Sequence, residues 1–231
     1  KGAYLLSLTE DQKWAGLQKR RLSQKVYYPA NNWSNLYTGL YDINDSLIVV
    51  CGRYERFGYP MISIVNRNDL DNSQEYFFTF TEEGFSKKSV AGEGDSVLYT
   101  LVSDTNRLFV HKFNLKQREN VWMKEISLSN PYLKQIIASD MAFNKTGNYI
   151  TVAGYIPNPG MDGNTIFFDI LTTDGRILSH NERKGDFPGD NQCISLLALE
   201  GSSTTLLGGS YHEENYASSA FVFYLDAADI D

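Results

Sequence analysis

Apolar positions along this chain fall in short runs separated by clusters of Asn, Asp, Gly, Ser and Pro. From Lys134 to Arg183 the order is K-Q-I-I-A-S-D-M-A-F, N-K-T-G-N, Y-I-T-V-A-G-Y, a loop rich in Pro and Gly, N-T-I-F-F-D-I-L, T-T-D-G and R-I-L-S-H-N-E-R. Short runs of β-branched and aromatic residues bounded by turn formers predict strands. No window sustains the i, i+3, i+4, i+7 stripe of an amphipathic helix better than it fits a strand. Residues Asp11 to Ser23 come closest to a helix, yet they fall where the pattern places a polar edge strand. The chain therefore reads as all-β.

This four-strand unit recurs. Its second strand is an apolar run closing on a small residue, at Gly52 (L-I-V-V-C-G), Ser103, Gly154 (Y-I-T-V-A-G) and Gly209 (T-L-L-G-G), with spacings of 51, 51 and 55 residues. A period sustained over four copies marks a repeat architecture. Glycine at the end of a strand in a crowded repeat predicts close backbone approach or an unusual φ. The links between first and second strands, I-N-D-S, E-G-D-S, N-K-T-G-N and E-G-S-S, are hairpin turns. Third strands run near Tyr4, from Met61, Leu108, Thr165 and Ala220; fourth strands, such as K-W-A-G-L-Q-K-R-R-L and R-I-L-S-H-N-E-R, are the most polar, as edges are.

Four-stranded antiparallel units at this period resemble the blades of a β-propeller, of the WD40-like and related kind, although the chain has no Trp-Asp dipeptide, Gly-His pair or Asp-box. The resemblance rests on the apolar first strand, the D-G-like turn, the second strand closing on Gly, and a third strand ending near Asp, as at Asp169 and Asp226. It implies a single domain over 1–231, with a partial blade at 1–30, full blades at 34–82, 85–128 and 134–183, and a partial blade at 191–231. Seventeen strands are expected, a segment of a ring of about six to eight blades and a piece of a longer protein.

Composition narrows the function. With 231 residues, 42% of them hydrophobic, the chain can bury a core. A net charge of -7, with Lys and Arg scattered, argues against nucleic acid. No apolar run approaches the roughly 18 residues of a membrane-spanning helix. Two cysteines, Cys51 and Cys193, are too few for a disulfide framework or a zinc site, and three histidines lack metal-ligand spacing. No nucleophile elbow, phosphate-binding loop or dinucleotide motif occurs, so no cofactor and no catalytic residue is assigned.

Binding residues are sought on the rim where the second-to-third and fourth-to-first connections meet, because those loops are long and chemically rich. The candidates are Tyr28, Trp33, Arg53, Tyr54, Arg56, Phe57, Tyr59, Tyr132, Phe187, His212 and Tyr216. Aromatic and Arg side chains supply most interface binding energy. Their alternative role is to plug the loop layer. Glu55, Asp104, Asp162, Glu213 and Glu214 are the rim carboxylates that acid–base chemistry would use. Sequons at Asn32, Asn44 and Asn144 tilt the setting toward the extracellular side or cell surface, and those at Asn44 and Asn144 fall on hairpin turns, where a glycan could be carried.

The expectation is a non-enzymatic propeller scaffold that holds a protein partner or copies of itself on its aromatic rim. The alternatives are a carbohydrate-active or other hydrolytic propeller using the rim carboxylates, and a structural repeat of a large surface assembly.

Overall fold

The computed structural model describes residues 3–10, 20–27, 35–54, 57–66, 69, 73–78, 84–104, 107–126, 136–157, 164–183, 190–212 and 219–226. Seventeen strands and no α-helix occur among them. Strands β1 (Ala3–Glu10) and β2 (Arg20–Tyr27) form a hairpin. Three four-stranded antiparallel sheets follow in chain order. The first holds β3 (Asn35–Asp42), β4 (Leu47–Tyr54), β5 (Tyr59–Asn66) and β6 (Ser73–Phe77). The second holds β7 (Phe85–Ala91), β8 (Val97–Ser103), β9 (Leu108–Asn114) and β10 (Glu119–Ile126). In the third are β11 (Ile137–Asn144), β12 (Tyr149–Ile156), β13 (Thr165–Thr172) and β14 (Ile177–Arg183). The last described sheet is three-stranded: β15 (Asp190–Ala198), β16 (Thr204–His212) and β17 (Ser219–Asp226). These are β-propeller blades, stacked face on face in the order of the chain.

The stacking explains why the strands carry apolar residues at almost every position. Along β8, Leu98 and Val102 pack toward the first sheet with Val49, Cys51 and Ile62, while Tyr99 and Leu101 pack toward the third with Met141, Ile150 and Val152. On β12, Val152 and Ala153 likewise serve opposite layers, Ala153 joining Leu207, Phe221 and Leu225 of the last sheet. Each fully buried Leu, Ile or Val contributes about 1.5–3 kcal/mol of transfer free energy. The uncovered face of the last sheet leaves Leu197, Val222 and Tyr224 exposed, Tyr224 at 77%.

Three sequence readings shift. The leading edge strand falls at Arg20–Tyr27 instead of Lys13–Leu22, pairing Ala3 with Tyr27 and Glu10 with Arg20. The recurring glycines do not end their strands: β4, β12 and β16 continue to Tyr54, Ile156 and His212. They sit instead opposite a β-bulge on the innermost strand. The register slips after Tyr37, Ser86, Ala138 and Cys193, whose partners are Gly52, Val102, Gly154 and Gly209. The bulge pushes the inner strand's backbone toward its neighbour. A Cβ on Gly154 would overlap Ile137 O and lie 2.8 Å from the Phe167 ring, and one on Gly209 would overlap Gln192 O and the Phe221 ring. Asp169, expected at the end of a third strand, is interior to β13.

Polar bonds lock neighbouring blades at the same bulges. Ser86 Oγ accepts from Gly52 N (2.8 Å) and donates to Met61 O. Asp140, 5% exposed, takes Lys88 of the second sheet as an ion pair through Oδ1. Its Oδ2 accepts from Leu196 N (2.7 Å) and Ser195 Oγ (3.2 Å) of the last sheet. One carboxylate thus spans three blades.

Candidate functional site

The richest constellation lies where the β4–β5 turn meets the start of β7. Gly58 takes φ 72°, which a side chain would resist, and its N–H donates to Tyr54 O (2.9 Å) to close the turn. Gly84 N donates to Gly58 O (3.1 Å) and Phe78 N to Pro60 O (2.9 Å), tying the turn to the connection between the first two blades. Tyr54 is 8% exposed and packs edge-on against Phe57 (centroids 5.7 Å) and against Phe77 (5.0 Å). Phe57 also meets Tyr59 at 5.7 Å. Phe57 itself stands 51% exposed.

After Gly84, Phe85 at the start of β7 is flanked by two cations. Arg53 Cζ lies 5.2 Å and Lys87 Nζ 5.3 Å from its ring centroid. Arg53 Nε is buried with no hydrogen-bond partner among the described residues. Lys87 occupies the bulge of β7, its carbonyl fixed by the Tyr41 hydroxyl (2.7 Å). Burial pushes the Tyr41 hydroxyl up to about 12, so it stays a donor.

Of the sequence candidates, the structure brings Tyr54, Phe57 and Tyr59 together, while Arg53, the residue before Tyr54 on β4, turns to the other face and meets Phe85. His212 closes β16 opposite Asp190. Tyr28, Trp33, Arg56, Tyr132, Phe187 and Tyr216 lie outside the described residues, as do Asn32, Glu55, Asp162, Glu213 and Glu214. Phe77, Phe85 and Lys87 were missed. They flank the T-E-E-G connection, whose role as the partner of the β4–β5 turn was the available signal.

Asp104 binds Arg107 through both oxygens, accepting from its backbone N (2.7 Å) and from Nε (2.8 Å). Asn44 Oδ1 caps its turn, accepting from Ser46 N (3.0 Å) and Leu47 N (2.9 Å). Asn144, the third sequon asparagine, lies at the β11–β12 turn. It is 1% exposed, its Nδ2 donating to Thr204 O (3.0 Å) and its Oδ1 accepting from Gly147 N (2.8 Å).

Two titratable sites lie between blades. His180, opposite Asp169, bonds it through Nδ1 (2.8 Å) and Glu182 through Nε2 (3.1 Å). Burial raises Asp169 to about 6 against the pull of His180. Burial alone would lower His180, yet its two carboxylate bonds outweigh that and raise it. His111 on β9 is 2% exposed against Phe78 (4.7 Å), and burial lowers it to about 4. The Cys51 thiol is free and buried, and burial raises it to about 12, so it is not a nucleophile. No cluster of three His, Cys, Asp or Glu among the described residues is arranged for a metal. No described helix is long and apolar enough to cross a membrane.

No known family's sequence pattern matches the chain, and no curated protein matches it in sequence. Its fold is similar to "the beta-propeller domain of the Trilobed protease from Pyrococcus furiosus", described as having an open velcro topology (TM-score 0.50, 12% identity, 90% of this chain and 56% of that one). A second similar structure is Porphyromonas gingivalis dipeptidyl peptidase 4 (TM-score 0.48, 9% identity, 89% of this chain and 34% of that one). The chain therefore spans little more than half of the first and about a third of the second. It is a β-propeller repeat protein. The reading of the chain as non-enzymatic, drawn from its thin catalytic inventory, is withdrawn, because the propeller it is similar to belongs to a protease.

Proposed function

We propose that the chain is the propeller of a hydrolytic enzyme, and that the rim at the β4–β5 turn and the start of β7 grips an extended polypeptide substrate. The exposure of Phe57 carries this reading: the ring is 51% open while it packs against Tyr54 and Tyr59. A ring already held by its neighbours loses little freedom on binding, so its buried area converts efficiently into affinity. Aromatic side chains beside Arg are the usual anchors for a polypeptide. The fold likeness to a protease's propeller favours a peptide over a carbohydrate. A carbohydrate-active site would use free rim carboxylates, and Asp104, the described candidate, is held by Arg107.

The test is hydrolysis of labelled casein by the natural full-length protein, wild type against Phe57→Ala and Tyr59→Ala. The reading predicts KM raised about three- to tenfold with kcat and Tm unchanged. Absence of proteolysis, or unchanged KM in both variants, overturns it. A protein partner or a second copy held on the same ring is the other use of this surface. It predicts retention of that protein lost in Phe57→Ala while KM stays as in the wild type.

A further inference from the structure

The rim described above carries two cations whose charge no described carboxylate meets. Arg53 and Lys87 approach the same Phe85 ring, at 5.2 and 5.3 Å, and neither pairs with an acid within ion-pair distance among the described residues. Lys88, one residue along, shows the contrast: it is satisfied by Asp140. Arg53 Nε is, moreover, buried and unbonded, a donor removed from water without compensation.

Resting on the polypeptide-gripping reading, we propose that Arg53 and Lys87 form a carboxylate-binding subsite of that rim, between the first and second blades, with the aromatic surface of Tyr54, Phe57 and Phe77 on the other face of β4. The ligand group is a peptide carboxylate, from either a free C-terminus or an acidic side chain. Phe85 holds both cations by cation–π contact, which fixes their position without neutralising them. A carboxylate arriving there gains charge-assisted hydrogen bonds from a guanidinium planar enough to bind it through two N–H groups.

Fluorescence anisotropy with three labelled, unstructured peptides tests this: one with a free C-terminal carboxylate, the same peptide amidated, and an amidated peptide with one internal Glu. Each is titrated against wild type, Arg53→Gln, Lys87→Gln and Phe57→Ala, with Tm recorded for all. The subsite predicts that amidation weakens binding about tenfold and that the preference vanishes in Arg53→Gln and Lys87→Gln. If the internal Glu restores the affinity lost on amidation, acidic side chains are the source; if it does not, the C-terminus is. Equal affinity for all three peptides overturns the carboxylate subsite. Should Phe57→Ala still weaken that charge-independent binding, the gripping rim stands without it. Absence of binding by wild type overturns both.

Discussion

The ring of Phe167 fills the space where a side chain on Gly154 would begin, its edge 2.8 Å from the position of a Cβ, with Ile137 O crowding the other side. A methyl group there must displace backbone as well as the ring. Gly154→Ala is expected to destabilise the protein by about 2–4 kcal/mol, at or above the usual cost of overpacking. Gly208, one residue before the equivalent Gly209, meets nothing closer than Ser195 O at 3.9 Å. Gly208→Ala is expected to leave stability within about 0.5 kcal/mol. Urea midpoints of the two variants measure the contrast.

Asp140 joins Lys88, Ser195 and Leu196, and so three blades. Removing it leaves an ammonium and a buried N–H without their acceptor. Asp140→Ala is expected to cost about 2–4 kcal/mol in urea unfolding, less than a fully buried pair because Lys88 is partly exposed. Ser195→Ala, which removes only the longer bond, is expected to cost under about 1 kcal/mol.

These two sites also show what the sequence makes legible. The four-strand unit and its hairpins could be read directly, because Asn44 and Asn144 each fold back on their own turn through Oδ1 and the two-faced burial of strands such as β8 leaves uninterrupted apolar runs. The glycine mark was visible but misplaced: a bulge on the partner strand leaves no trace in the glycine's own strand. Asp140 could not be recognised as a tie between blades, since its partners lie 52 and 56 residues away in sequence. The rim was half visible. Arg53, Tyr54, Phe57 and Tyr59 lie at one turn, whereas Phe77, Phe85 and Lys87 come from strands distant in sequence, Phe77 against Tyr54 and Phe85 against Arg53. The Asp169–His180–Glu182 cluster was unread because cross-strand register, not spacing, brings it together.

His111 makes the fold sensitive to acid. Its pKa falls to about 4 in the folded state from 6.5, so the unfolded chain takes up the proton first. Its contribution is intact above pH 6.5 and is lost as pH falls toward 4, by about 3 kcal/mol in all. Asp169 acts in the opposite sense. With its folded pKa raised to about 6 from 3.8, its contribution is complete below 3.8 and lost as pH rises through 6. The two offset each other in the wild type, so the informative quantity is the difference from His111→Phe. That variant is expected to gain on wild type as pH drops from 7 to 4, read from urea unfolding at each pH. A constant difference across this range would contradict the assignment.

Asn144 is expected to carry no glycan when the chain is secreted from a eukaryotic host, because its Nδ2 is buried on Thr204 O. Mass spectrometry of the peptide containing it checks this directly. Asn144→Ala is expected to cost about 1–3 kcal/mol, since it frees both Gly147 N and Thr204 O.

The central claim is that one rim of the propeller, and not the opposite one, meets an extended polypeptide. A peptide bearing a photoreactive group, irradiated with the protein and mapped by mass spectrometry, tests it most directly. The account predicts adducts at Arg53 to Pro60 and Gly84 to Lys88, lost in Phe57→Ala. Adducts confined to the opposite turns, around Asp45, Lys145 and Glu200, would contradict it.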